Sequence, residues 1–250
     1  MVTVSRQLAG KRALVTGASG GLGAHFAKLL ASHGAEVVLA ARRVDALEAV
    51  AQEVRAYGHA STVATDVTDA KSRAALVERA GPIDILVNNA GVVRESAALN
   101  HSEDEWDAVM DTNLRGMFFI AQAFARGMIG RGGGSIVNVA SILGLRQAGG
   151  VLSYAVSKAG VIQLTKTLAL EWARHSVRVN AIAPGYIDTE FNHSFWQSDA
   201  GQALVRRIPQ RRLGRLEDLD GPMLLLASDA SRYMTGSVLT VDGGHLVGTL

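Results

Sequence analysis

Short, continuously apolar runs alternate with longer amphipathic segments along the whole 250-residue chain. The runs at 12–16, 36–41, 60–64, 83–88, 135–140, 177–183 and 237–241 have strand length. Helical periodicity begins near Gly21, Arg43, Asp69, Ser102, Leu152 and Leu216. A run such as Ile83-Asp84-Ile85-Leu86-Val87 leaves almost no polar face, as a strand covered on both sides requires. The alternation predicts an α/β fold, a doubly wound parallel seven-stranded sheet with helices on both faces. The length suits one core, and no linker or repeat divides the chain, so residues 1–250 read as a single domain. The run Gly130-Arg131-Gly132-Gly133-Gly134 reads as a loop between a helix and a strand.

The rhythm breaks at 186–214, which carries Tyr186, Phe191, Phe195, Trp196 and an arginine cluster. A long irregular insertion near the carboxyl ends of strands is more often a binding loop than filler, so a substrate lid is expected here. The helix expected at 152–172 carries Val156, Val161, Ile162, Leu164, Leu168 and Trp172 around much of its circumference, and Met117-Phe118-Phe119-Ile120 repeats this excess of apolar surface. The sheet can cover one face of such a helix and a second subunit another.

Composition narrows the function classes. With 25 basic and 23 acidic residues the net charge is only +2, and nothing calls for a nucleic-acid partner. Without cysteine there are no disulfides, thiolate metal sites or Cys nucleophile, and a reducing, cytoplasmic setting is expected. No apolar run reaches the ~18 residues of a membrane span, and the first ten residues lack the apolar core of a signal peptide. The seven histidines show no metal-ligand spacing, so no metal is expected.

The first strand runs into Thr16-Gly17-Ala18-Ser19-Gly20-Gly21-Leu22-Gly23. Gly17, Gly21 and Gly23 between a strand and a helix let backbone N–H groups approach a pyrophosphate, although tight turns also recruit glycine for steric reasons alone. The second strand ends in Ala40-Ala41-Arg42-Arg43, with no carboxylate to hold a ribose 2′-hydroxyl. Arg42 can pair with a 2′-phosphate, which favours NADP(H) over NAD(H); the alternative is that Arg42 and Arg43 simply open the next helix. Asp66, after the third strand, is either an acceptor for the adenine amino group or a helix cap. Asn88-Asn89-Ala90-Gly91, after the fourth, suits a backbone that passes close to a ligand, or a plain turn. Tyr154 and Lys158 stand four residues apart, so on a helix a phenol and an ammonium share one face. Chance gives roughly 0.08 such spacings for this composition, so the pair draws its weight from the glycine turn upstream.

Together the glycine turn, Asn88 to Gly91, Asn113, Ser141, Tyr154 with Lys158, Pro184-Gly185 and Val241-Asp242-Gly243-Gly244 resemble the short-chain dehydrogenase/reductase family over essentially the whole chain. The resemblance implies a Rossmann fold and an NADP(H)-dependent oxidoreductase acting on CH–OH and C=O groups. It also implies a homotetramer or dimer built through the two apolar helices. Ser19, Leu22, Arg43, Val67, Asn89, Ala90, Gly91, Pro184, Gly185, Ile187 and Thr189 are then further cofactor contacts. Tyr154 would be the proton donor for reduction and the base for oxidation, since a neighbouring ammonium and an oxidised nicotinamide both favour phenolate. Lys158 would lower the pKa of Tyr154 and hold the nicotinamide ribose. Ser141 would donate to the substrate oxygen. By resemblance, Asn113 would position a water between Lys158 and solvent.

Ile142, Leu143, Gln147, Val151, Tyr186, Phe191, Phe195 and Trp196 would line a mainly apolar pocket, which favours a neutral ketone or secondary alcohol over a small dicarboxylate. Reduction of a 3-oxoacyl thioester is an alternative, with Arg131 and Arg174 meeting an acidic acyl carrier protein. A sugar or polyol dehydrogenase using NAD is another, disfavoured by the missing carboxylate after the second strand. A nucleotide-sensing protein without turnover would need the glycine turn but not Ser141, Tyr154 and Lys158.

Overall fold

The computed structural model describes residues 6–189 and 193–248. Seven strands are named in chain order: β1 (Arg12–Thr16), β2 (Glu36–Ala41), β3 (Ala60–Ala64), β4 (Ile85–Asn88), β5 (Gly134–Val139), β6 (Val177–Pro184) and β7 (Val238–Val241). All pair in parallel in the order β3-β2-β1-β4-β5-β6-β7. Parallel neighbours need crossovers, and these are α1 (Gly21–Ser32), α2 (Val44–Arg55), α3 (Ala70–Ala80), α4 (Glu103–Met110), α5 (Met117–Gly130) and α6 (Leu152–Trp172). After β6 come the short α7 (His193–Trp196) and α8 (Asp199–Val205), then α9 (Asp220–Ala227).

The period-two geometry of a strand splits each apolar run between two cores. Ala13, Val15, Val37 and Leu39 face a layer with Phe26, Leu30, Leu47 and Met223. Leu14, Val38 and Leu86 face the other, with Leu76, Phe124, Met128 and Leu168. The expected doubly wound sheet is therefore present. Strand β4 begins two residues later than the apolar run suggests, at Ile85. There the Asp84 carboxylate accepts the Arg12 N–H at 2.8 Å and locks the start of β1.

Two departures from the sequence pattern matter for the site. The apolar period after Ser102 is not one helix: α4 and α5 are joined by a π-helical turn over Asp111–Gly116, which moves Asn113 into the interior. Gly116 permits this, because a Cβ there would stand 2.6 Å from the Val67 carbonyl oxygen. The 186–214 excursion is partly regular, carrying α7 and α8. Its ends are tied by Gly214 N–H to Tyr186 O and Asp188 N–H to Gly214 O, both 2.9 Å. Phe191 lies outside the described residues. The 130–134 glycine run turns from α5 into β5, at the amino-terminal edge of the sheet.

No helix among the described residues is long and apolar enough to cross a membrane. Nor do the described residues contain a cluster of three or more His, Asp or Glu able to hold a metal ion.

A buried polar chain ties β4, β5 and α6 together. Asn88 Nδ2 donates to Asn138 Oδ1 at 3.2 Å, and Asn138 Nδ2 donates to Thr165 Oγ1 at 3.0 Å. Replacing Asn138 by Ala removes a buried partner from each neighbour, leaving Asn88 Nδ2 only its 3.4 Å bond to Met117 O and Thr165 Oγ1 its bond to Val161 O. Urea unfolding of Asn138→Ala is expected to register a loss of about 2 kcal/mol, with Thr165→Ala milder.

Candidate functional site

Strands β1 and β4 are neighbours whose chains leave in opposite directions, so their carboxyl ends open a crevice. Thr16, the last residue of β1, organises it. Its hydroxyl accepts the N–H groups of Asn89 (3.0 Å) and Ala90 (3.1 Å), while Asn89 Nδ2 donates to Thr16 O (3.0 Å) and Gly17 O (3.3 Å). The two loops are held so close that a Cβ on Gly17 (φ 66°) would lie 2.9 Å from Ala90 Cα. Gly23 has no room for one either, against Gly17 O and Asn89 Nδ2. A Cβ on Gly21 would meet no protein atom within 4 Å, so that face of the turn is open to a ligand. Helix α1 starts there with no side-chain cap and no acidic residue in its first turn, leaving N–H groups for an anion.

Around this turn lies a cavity of about 610 Å³, lined among others by Ser19, Gly21, Arg42, Arg43, Asp66, Val67 and Ala90. Arg42 is exposed at its wall. Arg43 is turned back, donating to Ser19 O and Ser19 Oγ, each at 3.2 Å, so it braces the glycine turn as well as opening α2. Asp66 does not cap the following helix; Asp69 does, accepting from Ser72 N–H. Asp66 instead accepts from Thr68 N–H and Thr68 Oγ1 at 2.9 and 2.8 Å. Burial raises its pKa, but the Thr68 hydrogen bonds with the charges of Arg42 and Arg73 outweigh it and hold the carboxyl below its usual value. The glycine cradle, open helix terminus and adjacent arginine fit a phosphorylated dinucleotide.

A second cavity, of about 630 Å³, shares Gly91, Val92 and Val93 with the first. Ser141, Tyr154 and Lys158 converge on it, together with Leu22, Asn89, Ile142, Leu143, Pro184, Gly185, Tyr186, Ile187, Thr189, Phe195 and Trp196. Lys158 Nζ donates to Val139 O at 2.7 Å and stands 5.5 Å from the centre of the Tyr154 ring. Ser141, two residues beyond β5, caps the following turn and accepts the Leu143 N–H at 3.1 Å, which orients its hydroxyl at the cavity wall.

The electrostatics differ from the expectation at Tyr154. Burial pushes the phenol's pKa up, with only the Ser141 hydroxyl pulling the other way. Burial also lowers Lys158 to about 8, because the same dry surroundings disfavour its charge. In the protein alone, desolvation outweighs the Ser141 hydrogen bond at the phenol.

The Asn113 side chain is engaged through both its oxygen and its nitrogen. Its Oδ1 accepts the Val92 N–H at 2.8 Å, and its Nδ2 donates to Val92 O (2.9 Å) and Ser157 Oγ (3.1 Å). Ser157 Oγ in turn donates to Tyr154 O at 2.7 Å. Among the described residues no hydrogen bond joins the Asn113 side chain to Lys158. It fixes the cavity wall to α6. Gln147 is exposed and stands outside the cavity lining, as does Val151, which precedes α6 and pairs with Ser96. Arg131 donates to Ile83 O and is committed to the fold, whereas Arg174 is exposed.

Sequence reading missed three features. Val92, Val93 and Glu95 line the catalytic cavity, and their position directly after Asn88-Asn89-Ala90-Gly91 was the available signal. The His245 ring packs at a tilt against Tyr186 with centroids 5.3 Å apart, and Tyr186 likewise against Trp196 at 5.1 Å; nothing local in the sequence marks this contact. A larger hollow of about 750 Å³ opens at the amino-terminal edge of the sheet, beside Gly132, Gly133 and Tyr233. Its Arg178 is spent on the Leu226 and Ser228 carbonyls and Ser231 Oγ, and none of Ser141, Tyr154 and Lys158 lines it.

Comparison with known proteins agrees with this geometry. The family described as enoyl-(acyl carrier protein) reductase matches residues 17–245. Gluconate 5-dehydrogenase of Gluconobacter oxydans is 43% identical over 96% of each chain. The 3-oxoacyl-[acyl-carrier-protein] reductase of Thermotoga maritima is 39% identical, over 96% of this chain and 100% of its own. A gluconate 5-dehydrogenase from Burkholderia cenocepacia, solved in complex with NADP and tartrate, superposes with a TM-score of 0.90 at 35% identity, covering 98% of this chain and 99% of that one. The chain belongs to the short-chain dehydrogenase/reductase family, as an oxidoreductase of alcohol and carbonyl groups that works with NADP(H).

Proposed function

We propose that this enzyme reduces a ketone to a secondary alcohol with Tyr154 as proton donor, in a single catalytic domain whose 186–214 segment covers the substrate. The observation that carries the reading is the convergence of Ser141, Tyr154 and Lys158 on one cavity that shares a wall with the glycine cradle. When bound, NADPH supplies the hydride that adds to the carbonyl carbon.

The chain's own groups handle the oxygen. Ser141 donates a hydrogen bond to it and stabilises the developing negative charge. Tyr154, kept protonated by burial, passes its phenolic proton to that oxygen. Lys158, drawn down to about 8, is acidic enough to return a proton to the resulting phenolate. A free enzyme with a high-pKa phenol is poised as an acid, which favours reduction over oxidation near neutral pH. The apolar walls of Val92, Ile142, Leu143, Ile187 and Phe195 exclude water from the exchange.

The cofactor would be held by the backbone of Ser19 to Gly23 and by Asn89 to Gly91, with Asp66 and Val67 able to receive its adenine and Arg42 its 2′-phosphate. Helices α5 and α6 carry half-buried Phe118 and Phe119 and an 82% exposed Leu170, which support self-association into a homotetramer. A cytoplasmic setting, with no cysteine to protect, suits the reduced cofactor. The carrier-protein alternative is weakened, because one of its two arginines, Arg131, is bound to a main-chain carbonyl.

Three measurements test this. Loss of reduced-nicotinamide absorbance with NADPH is expected on a panel of aryl, cyclic and aliphatic ketones. Tyr154→Phe should abolish it while leaving NADPH affinity nearly intact; substantial residual turnover in that variant rules out Tyr154 as the donor. In titrations with each cofactor, Arg42→Ala should weaken NADPH binding by ~1.5–3 kcal/mol and NADH binding far less, and an equal loss for both would remove Arg42 from the site. Lys158 is charged below about 8 and neutral above it. The kcat/KM for reduction should therefore fall as pH rises through about 8, and Lys158→Arg, which keeps its charge, should move that limb upward.

A further inference from the structure

Among the described residues, the charged side chains that line the 630 Å³ cavity are Lys158 and Glu95. Lys158 is buried and spends its ammonium on Val139 O. Among the described residues no hydrogen bond or ion pair engages the Glu95 carboxylate, which stands exposed at the cavity rim. The neighbouring cation does not neutralise it. Arg94 donates to Val93 O at 3.1 Å, lines the other cavity, and acts on Glu105, whose carboxyl it helps hold low.

The backbone that presents Glu95 is fixed on both sides. Val92 is bonded to Asn113 through both its N–H and its carbonyl. Ser96 N–H donates to Gly150 O at 2.9 Å, and Ser96 pairs with Val151. A carboxylate carried on a backbone held this way, at the rim of a cavity walled by Val92, Val93, Ile142, Leu143 and Phe195, projects its field along a path that is partly protein, which screens less than bulk water.

We infer that Glu95 is a specificity-determining charge filter. It repels substrates whose distal end carries a carboxylate or phosphate, and it accepts hydrogen bonds from hydroxyl or amide groups of neutral ones. The filter rests on the reading that this cavity is where the carbonyl is reduced. It separates this chain from an aldonate-using dehydrogenase, because an aldonate would bring a second negative charge into the space Glu95 faces.

The test uses pairs matched apart from the end that carries the charge: methyl 4-oxopentanoate against 4-oxopentanoate with NADPH, and D-glucitol against D-gluconate with NADP⁺. Each is run with the native enzyme, Glu95→Gln and Glu95→Arg. The native enzyme should favour the neutral member. Glu95→Gln should cut that preference by roughly tenfold, carried by the KM of the anionic substrate, and Glu95→Arg should reverse it. Raising salt should narrow the preference of the native enzyme and leave that of Glu95→Gln unchanged, since an exposed charge is screened. A neutral-to-anionic ratio that ignores both substitutions, or a native preference for the anion, overturns the filter while leaving the reductase reading intact. Turnover of neither these pairs nor the wider ketone panel overturns both.

Discussion

Everything in this molecule hangs from a geometric constraint on parallel strands. Successive strands that run the same way must be joined by crossovers, so all their carboxyl ends lie on one edge of the sheet. The order β3-β2-β1-β4-β5-β6-β7 turns outward in both directions from the β1/β4 boundary, leaving a gap there that no helix fills. Thr16 and Asn89 close the floor of that gap with reciprocal side-chain bonds between the two departing loops. The glycine turn above them has its backbone N–H groups where a pyrophosphate would meet them. Ser141, just beyond β5, and the β6 loop from Gly185 onward then line the neighbouring cavity as a consequence of strand order.

Burial sets the chemistry of that edge. Tyr154 and Lys158 share a face of α6, and the same dry surroundings move their pKa values in opposite directions, the phenol up and the ammonium down. Two groups whose pKa values lie close together in water are thereby driven apart, which leaves the ammonium the stronger acid of the pair and able to return a proton to the phenolate. The position of α6 is held from behind by Asn113, which reaches Ser157 because the chain takes a π-helical turn instead of continuing as α-helix. A local irregularity thus positions regular elements, a pattern common where a side chain must be re-aimed into a site.

Glu95 and the aromatic cluster of His245, Tyr186 and Trp196 belong to a different layer of organisation. They come from loops that the sheet brings to the same edge. The catalytic groups fix what reaction can occur at the carbonyl, and these loop residues meet whatever lies beyond it. Loops carry such differences at little cost to the fold, because their side chains do not pack into the two cores.

Much of the architecture was legible along the chain because it rests on periodicity. Strands β1, β2 and β3 have the bounds their apolar runs suggest, and Tyr154 and Lys158 lie on one helix as their spacing requires. The glycine turn and the arginine after β2 were also readable, since local backbone geometry and charge are properties of short segments. The tertiary structure alone decided the rest. The π-turn at Asp111–Gly116 depends on Gly116 meeting Val67, a contact between distant segments. Arg43 turns to Ser19, Asn113 to Val92, and Arg131 to Ile83 for the same reason. The rise in the Tyr154 pKa depends on how completely other elements enclose it. Gln147 stays outside the cavity lining and Glu95 reaches its rim, although both sit beside motifs, because a loop's direction is fixed by what it packs against. Sequence determined which elements form and which chemical groups they carry; packing between segments far apart in the chain decided which of those groups face one another.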